Sequence, residues 1–272
     1  MNSIELAKKL RIHAINMAHH SRESHVASAL SIADLIAVLY NDVLNINKDN
    51  HMAEERDRFI LSKGHACSVV YAALAEKDFF DKKELYMQCQ NGARLSGHIS
   101  SKNIPGVELS TGSLGHGCCV AAGMALAGKI KNAKYYVYVI VGDGECNEGS
   151  VWEMAQFAYQ YKLDNLVVII DNNKMQALGN CSDVLDYIDL EEKWKKFGWF
   201  VEEIDGHNHD EIKAALNNKE QNRPKCIIAH TIKGKGVSFM ENNIIWHYRD
   251  PQGEEYKKAL KELGGFHEES IN

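Results

Sequence analysis

The sequence has few of the features that divide a chain into separate parts. It contains only three prolines in 272 residues, and no Gly/Ser-rich linker or internal repeat interrupts it. Hydrophobic residues make up 45% of the chain, which is enough for a large core and argues against disorder. One globular domain over residues 1–272 is therefore the simplest prediction.

Positive charge is also scarce. Lys and Arg number 31 against 37 Asp and Glu, which gives a formal net charge of −6. Proteins that bind nucleic acids or anionic membrane surfaces need the opposite balance. The N-terminal segment is charged and amphipathic, and no apolar run has the length of a bilayer span. We therefore expect small molecules or other proteins as partners, with no nucleic acid and no membrane.

The cysteines lack the spacing of a zinc site or a disulfide framework. There are seven, an odd number, and no C-x-x-C pair occurs. The one close pair, Cys118 and Cys119, is adjacent, which is poor geometry for a disulfide. We interpret all seven as reduced thiols, and this predicts a cytoplasmic protein.

Apolar runs in the second half of the chain predict a parallel sheet. Residues 135–141 (YYVYVIV), 165–171 (NLVVIID) and 226–231 (CIIAHT) are continuous runs, as is typical of strands that are covered on both faces. The helical spacing of residues 149–162 between the first two runs indicates a βαβ crossover. The predicted fold class is therefore α/β, with a doubly wound, mostly parallel sheet and helices on both faces.

The first half of the chain has the spacing of helices. Residues 4–20 and 66–77 fit this pattern, and so do residues 31–40, where Ser31 to Asp34 resemble a capping box. Loops that contain glycine separate these segments.

A carboxylate between two glycines follows the first apolar run. Gly142-Asp143-Gly144 ends that run, and Asn173 lies 30 residues after Asp143, about the length of a strand, a crossover and a second strand. Both side chains would then emerge at one edge of the sheet, where ligands of α/β sheets bind. With the carbonyl of Met175 they would offer Mg²⁺ oxygen ligands and leave room for a diphosphate. A simple D-G turn is the alternative, but the spacing and the strand context favour the metal site.

Other nucleotide-binding motifs are incomplete. No apolar run is followed by G-x-G-x-x-G, the fingerprint of a dinucleotide site. Residues 123–129 copy a P-loop, but Ile130 stands where a Ser or Thr must bind Mg²⁺, and the segment has a helical composition. We interpret this match as coincidence.

The G-D-G and N-N pair resembles the thiamine diphosphate motif, and further segments narrow the resemblance to the transketolase family. The chain looks like the N-terminal, diphosphate-binding (PP) domain of these enzymes. The similar segments cover residues 20–250 in family order and read SRESHVASALSIADLIAVLY, RDRFILSKGHACSVVYAALA, SGHISSKNIPGVELSTGSLGHG, GDGECNEGSVWEMAQFA, IIDNNKMQALG and HTIKGKGVSFMENNIIWH.

The resemblance implies roles for individual residues. The ligands of Mg²⁺ (or Ca²⁺) would be Asp143, Asn173 and Met175. The contacts to thiamine diphosphate would come from His65, Gly112, Ser113, Leu114, Gly142, Asp143, Gly144, Asn173 and His247. The catalytic residues would be His25, His98 and His247, which surround the sugar, and Glu148, in a proton network between subunits. The histidines that no motif includes, namely His19, His20, His51, His207, His209 and His267, are expected to be ordinary.

The sequence departs from the family pattern near the expected substrate. Ser113 stands where proline is frequent, and Val26-Ala27-Ser28 stands where glycines are common. Arg22-Glu23-Ser24 places charges where small residues are usual. These changes leave the sugar open.

The resemblance also implies a partner chain. In transketolases the glutamate that activates thiamine diphosphate belongs to a second, pyrimidine-binding domain, and this chain ends at residue 272. We therefore expect a split transketolase, an α₂β₂ assembly that transfers a two-carbon ketol unit between sugar phosphates. The alternatives are the α subunit of a 2-oxo acid dehydrogenase, an enzyme like 1-deoxyxylulose-5-phosphate synthase, and a non-catalytic module of the same fold.

Overall fold

The computed structural model describes residues 1–186 and 189–265. At its centre lies a sheet of five parallel strands in the order β1-β2-β3-β5-β4. The strands are β1 (Arg58–Leu61), β2 (Val137–Gly142), β3 (Leu166–Asn172), β4 (Phe200–Asp205) and β5 (Lys225–His230). The α/β class and the three strands predicted from apolar runs are confirmed.

Helices connect the strands and cover the sheet. They are α1 (Ser3–Ser21), α2 (Val26–Ser31), α3 (Ala33–Val38), α4 (Cys67–Glu76), α5 (Gly117–Lys131), α6 (Gly149–Gln160), α7 (Cys181–Val184), α8 (Leu190–Lys196), α9 (His209–Asn217) and α10 (Gly253–Glu262). The predicted helices at 4–20, 66–77 and 149–162 correspond to α1, α4 and α6. The P-loop-like segment lies inside α5, which confirms that it is not a phosphate loop.

Both faces of the sheet are buried, because successive side chains of a strand point to opposite sides. Tyr138 and Ile140 of β2 pack in one core with α1–α4, α9 and α10, whereas Val139 and Val141 pack in the other with α5, α6 and α8. This arrangement confirms helices on both faces. It also explains the lack of alternation in the central strands.

The predicted capping box at Ser31 is wrong. Ser31 ends α2, and α3 begins after Ile32 without a side-chain cap. The Ser31 hydroxyl instead donates to the Asp171 carboxylate over 2.6 Å. Asp34, the other end of the predicted box, pairs with Arg11 and accepts hydrogen bonds from two histidines.

Two further predictions concern cysteines and membranes. All seven cysteines are free thiols, in agreement with the sequence analysis. Within residues 1–186 and 189–265, none of the helices is both long and apolar enough to cross a bilayer.

Candidate active site

A cavity of about 430 Å³ opens beside the carboxyl ends of β2 and β3. Its volume is in the range of small-ligand sites. Of the residues predicted for the site, the cavity is lined by His25, His65, His98, Gly112, Leu114, Gly142, Asp143, Gly144, Glu148, Asn173, Met175 and His247. Ser113 is exposed and is not among the lining residues, so its predicted contact stays a prediction.

The two loops that carry oxygen donors meet as the strand spacing predicts. Gly142 and Asp171 are paired in the β2–β3 register, and the amide of Asp143 donates to the Asp171 carbonyl over 3.2 Å. The Asp143 carboxylate accepts hydrogen bonds from the backbone amides of Gly144, at 2.7 Å, and Lys174. This contact joins the G-D-G turn to the loop after β3.

Asn173 has a fixed amide orientation. Its Nδ2 donates to the Asp171 carboxylate over 2.8 Å, so its Oδ1 turns to the other side and accepts from the Met175 amide over 3.1 Å. Asp171 is fully buried and also accepts from Lys63 and Thr231. Burial favours the neutral acid, but the charge of Lys63 and these hydrogen bonds hold the pKa of Asp171 below its usual value.

Four histidine side chains converge in the same cavity. The ring of His25 lies 5.2 Å from that of His65, 5.6 Å from that of His98 and 4.8 Å from that of His247, measured between centroids. His65 and His247 are 5.7 Å apart. The chain therefore brings together four rings from segments that are far apart in sequence.

The backbone positions these rings. His25 has a left-handed conformation, with φ of 74°, between α1 and α2, and its amide donates to the His247 carbonyl over 3.0 Å. Tyr71 of α4 donates its hydroxyl to the His98 carbonyl over 3.1 Å. A left-handed conformation is strained for a residue other than glycine, and residues with such strain are often found at functional sites.

Three of the histidines are neutral at physiological pH. Burial, followed by the charge of His98, lowers the pKa of His25 to about 4. Burial, followed by the charge of Lys233, lowers the pKa of His247 to about 3, and burial lowers the pKa of His65 well below its usual value. A neutral imidazole offers one donor and one acceptor, so each ring can pass a proton between a hydroxyl and a neighbour.

Several cavity residues were missed by the sequence analysis. Lys63 and Lys233 are each 2% exposed and line the cavity, and so do Glu145 and Gln176. Burial, followed by the charge of Lys63, lowers the pKa of Lys233 to about 8. Lys63 lies two residues before His65 in the SKGH segment, and Lys233 lies three residues after the end of β5. Their places in a motif and near a strand end were the available signals.

The departures from the family pattern have defined places. Val26 and Ala27 are buried in α2, and Ser28 faces the cavity with its hydroxyl 3.5 Å from Nδ1 of His247. Glu23 packs against Gly97, where a Cβ would lie 2.8 Å from the glutamate Oε2. The side chains of Val26 and Ala27 therefore pack in the core. Ser28 is the residue of this segment that lines the cavity.

The histidines expected to be ordinary have structural contacts. His207 and His209 bind Asp34 over 2.7 and 3.1 Å, and His19 stacks on Tyr256 with 3.8 Å between centroids. His267 lies outside the described residues.

The donor set of the cavity fits a hard cation and an anion beside it. Asp143, Asn173 and Met175 present a carboxylate, an amide oxygen and a carbonyl, which are the ligand types that Mg²⁺ and Ca²⁺ prefer. Within the described part of the chain there is no group of three His, Cys, Asp or Glu side chains that could hold a metal ion. The ligand set identified from the sequence contains only one side chain of these four types, that of Asp143. Lys63 and Lys233 add positive charge where a diphosphate would lie.

Comparison with known proteins identifies the family. Residues 3–272 match the family described as "Transketolase, thiamine diphosphate binding domain". An apulose-4-phosphate transketolase subunit from Phocaeicola vulgatus is 37% identical over 266 residues, which cover 97% of this chain and 94% of that protein. A 6-deoxy-6-sulfo-D-fructose transketolase subunit of a Clostridium species is 42% identical and covers 88% of each chain.

Solved structures give the same result. Transketolase from Campylobacter jejuni matches with a TM-score of 0.92 and 30% identity over 100% of this chain and 44% of that one. Transketolase from Leishmania mexicana matches with a TM-score of 0.92 and 26% identity over 100% of this chain and 42% of that one. This chain thus spans less than half the length of these two transketolases. Since the family match extends over almost every residue, the chain belongs to the transketolase family and represents its thiamine diphosphate binding domain.

Proposed function

We propose that this chain is the thiamine-diphosphate-binding subunit of a two-chain transketolase. The observation that carries the proposal is one cavity that is lined both by these oxygen donors and by four clustered histidines. The reaction would move a two-carbon ketol (glycolaldehyde) unit from a ketose to an aldose. The names of two similar proteins include apulose 4-phosphate and 6-deoxy-6-sulfo-D-fructose, so we propose sugars with a terminal anionic group.

Mg²⁺, or Ca²⁺ in its place, would be held by Asp143, Asn173 and the carbonyl of Met175. Burial, followed by the charge of Asp171, raises the pKa of Asp143 to about 6. A divalent cation would offset the cost of keeping Asp143 ionised in these surroundings, because it stabilises the charged carboxylate. The fixed amide of Asn173 supports its role, since Asp171 already occupies the nitrogen side.

The diphosphate would lie between this cation and a group of hydrogen-bond donors that combines two lysines with two neutral histidines. Lys63, His65, Lys233 and His247 line that part of the cavity, and we propose that they contact phosphate oxygens together with the backbone of Gly142 and Gly144. The segment Gly112-Ser113-Leu114 would contact the thiamine rings. The buried Glu145 holds this segment in place, because its carboxylate accepts from the Gly115 amide over 2.8 Å and from the Gly142 amide over 3.0 Å.

Thiamine diphosphate, when bound, supplies the nucleophilic carbon that breaks and forms the bond between sugar carbons. The protein would bind the sugar and move protons at its hydroxyl groups. His25, His98 and His247 surround the space where those hydroxyls would lie, and neutral rings such as His25 and His247 can accept a proton there near pH 7. Glu148 is exposed at the rim, where it could join a proton network with a second subunit.

A partner chain would supply the pyrimidine-binding domain and the remaining substrate contacts. The proposed assembly is α₂β₂, with residues 1–272 of this chain as one domain. Large apolar side chains at the rim of the cavity support a covering partner, because Leu178 is 80% exposed and Leu185 is 58% exposed.

The substitution Asp143→Asn tests the cation site. We expect it to weaken the binding of thiamine diphosphate with Mg²⁺ by about 100-fold or more, because removing one member of a buried charge pair costs about 3 kcal/mol or more. Isothermal titration calorimetry measures this affinity. Asp49→Asn, at an exposed aspartate away from the cavity, is the matched control. Unchanged affinity in the Asp143 variant would reject the residue as a ligand.

A further inference from the structure

One buried side-chain nitrogen in the cavity makes no hydrogen bond to the residues that the structure describes. Six buried side-chain nitrogen or oxygen atoms in the described part of the chain make no hydrogen bond, and they belong to His13, Tyr40, Arg56, Asn165, Gln176 and Trp194. Of these six residues only Gln176 lines the cavity, and the atom concerned is its amide nitrogen, Nε2. A buried donor without an acceptor is unfavourable, so this amide is built to meet a group that the chain itself does not provide.

The backbone of Gln176 is held firmly. Its amide donates to the Gly179 carbonyl over 2.8 Å, and the neighbouring Met175 pairs with Asn180 as an antiparallel bridge. Gln176 therefore lies in a hydrogen-bonded loop, and the same loop contains the Met175 carbonyl.

The side chain of Gln176 packs on Gly144. A Cβ at Gly144 would lie 2.7 Å from Cγ and 3.4 Å from Nε2 of Gln176. Because Gly144 has no side chain, the glutamine side chain occupies the space beside its Cα. The amide group is thus placed next to the segment proposed to contact the diphosphate.

The Cys181 thiol, a polar neighbour of Gln176, is a poor hydrogen-bond acceptor. The Cys181 thiol lies beside both Gln176 and Asp143, and burial raises its pKa to about 12, so it stays protonated. A neutral thiol sulfur accepts hydrogen bonds only weakly. An anionic phosphate oxygen would satisfy the amide far better.

We propose that Gln176 is a further cofactor-binding residue, whose Nε2 donates a hydrogen bond to an oxygen of the diphosphate group. This inference rests on the proposed function and extends its list of contacts to a residue that no motif suggested. It assigns the donor to the phosphate end of the cofactor, because Gln176 packs on Gly144, the residue that follows Asp143.

Two variants and two ligands test the proposal. Gln176→Met keeps the length of the side chain and removes the donors, and Gln176→Glu puts a negative charge beside the phosphate. With Mg²⁺ present, calorimetry would measure the binding of thiamine diphosphate and of inorganic pyrophosphate to the full chain. We expect Gln176→Met to weaken both affinities by about tenfold, as for loss of a hydrogen bond to a charged group, and Gln176→Glu to weaken both further. Gln160→Met, at an exposed glutamine of α6, should change neither.

Thermal unfolding without ligand separates binding from a structural role. Since Nε2 has no partner among residues 1–186 and 189–265, Gln176→Met should leave the melting temperature of the ligand-free chain unchanged or higher, while the shift caused by the cofactor becomes smaller.

Three results would overturn the inference. The first is equal affinities of wild type and Gln176→Met, the second is weaker binding of thiamine diphosphate with unchanged binding of pyrophosphate, and the third is a lower ligand-free melting temperature. If the wild-type chain itself bound neither ligand, the proposed function would fail instead, so the two failures are distinguishable.

Discussion

At the scale of single residues, Asp143 combines a cost in stability with a proposed role in binding. Its carboxylate is 2% exposed and lies near the ionised Asp171. These surroundings raise the pKa of Asp143 from 3.8 to about 6, which corresponds to about 3 kcal/mol against the charged form. Such conflicts between stability and local charge are typical of functional sites.

This conflict predicts a pH-dependent gain in stability from Asp143→Asn in the metal-free chain. Because the folded pKa lies above the unfolded value, the wild-type carboxylate destabilises the fold above pH 6, and this penalty disappears as the pH falls toward 4. The variant should therefore melt several degrees higher than wild type at pH 8, and the difference should shrink by pH 4. Scanning calorimetry at both pH values without divalent ions measures it. A variant that melts lower than wild type at pH 8 would contradict this account.

A motif that fixed both the residue type and the spacing was enough to predict which residues reach the cavity, whereas the roles of these residues stay predictions. Asp143, Asn173 and His65 were identified in this way, and all three line the cavity. Lys233 and Gln176 were missed because their importance depends on burial and on the lack of a partner atom. Neither property can be read from the identities of neighbouring residues.

At the scale of secondary-structure elements, the central strands could be predicted and the edge strands could not. β2, β3 and β5 are buried throughout almost their whole length and appear as apolar runs. β1 and β4 are the two edges of the sheet. β1 has only four residues, and β4 (FVEEID) carries charged side chains, as edge strands often do. A search for continuous apolar runs therefore misses both.

The position of Ser31 at the end of α2 leads to a second prediction. If its hydroxyl stabilises the fold through Asp171, Ser31→Ala should lower the free energy of unfolding by about 1.5–3 kcal/mol, the range for hydrogen bonds to charged groups. Ser31→Asp should be worse still, because it places a second carboxylate against Asp171. Urea unfolding measures both values. Equal stability of Ser31→Asp and wild type would instead indicate a helix cap, since Asp and Ser cap helices equally well.

At the scale of the whole molecule, the proposed partner predicts dependence of activity on a second chain. The purified chain should show little or no ketol transfer alone, and a subunit with the pyrimidine-binding domain should restore it. Formation of the product sugar from a ketose donor and an aldose acceptor measures the reaction. The same mixture with Asp143→Asn is the control and should stay inactive. Full activity from the chain alone would refute the need for a partner.

The strand order affects the local stability of the proposed cofactor site. Asp143 and Asn173 extend from β2 and β3, which have hydrogen-bonded strands on both sides, whereas β1 and β4 have a neighbour on one side only. Partial opening of a sheet starts at its outermost strands and costs least there. Fraying at either margin would therefore leave the oxygen atoms that we propose as cation ligands in register, because neither of them follows an edge strand.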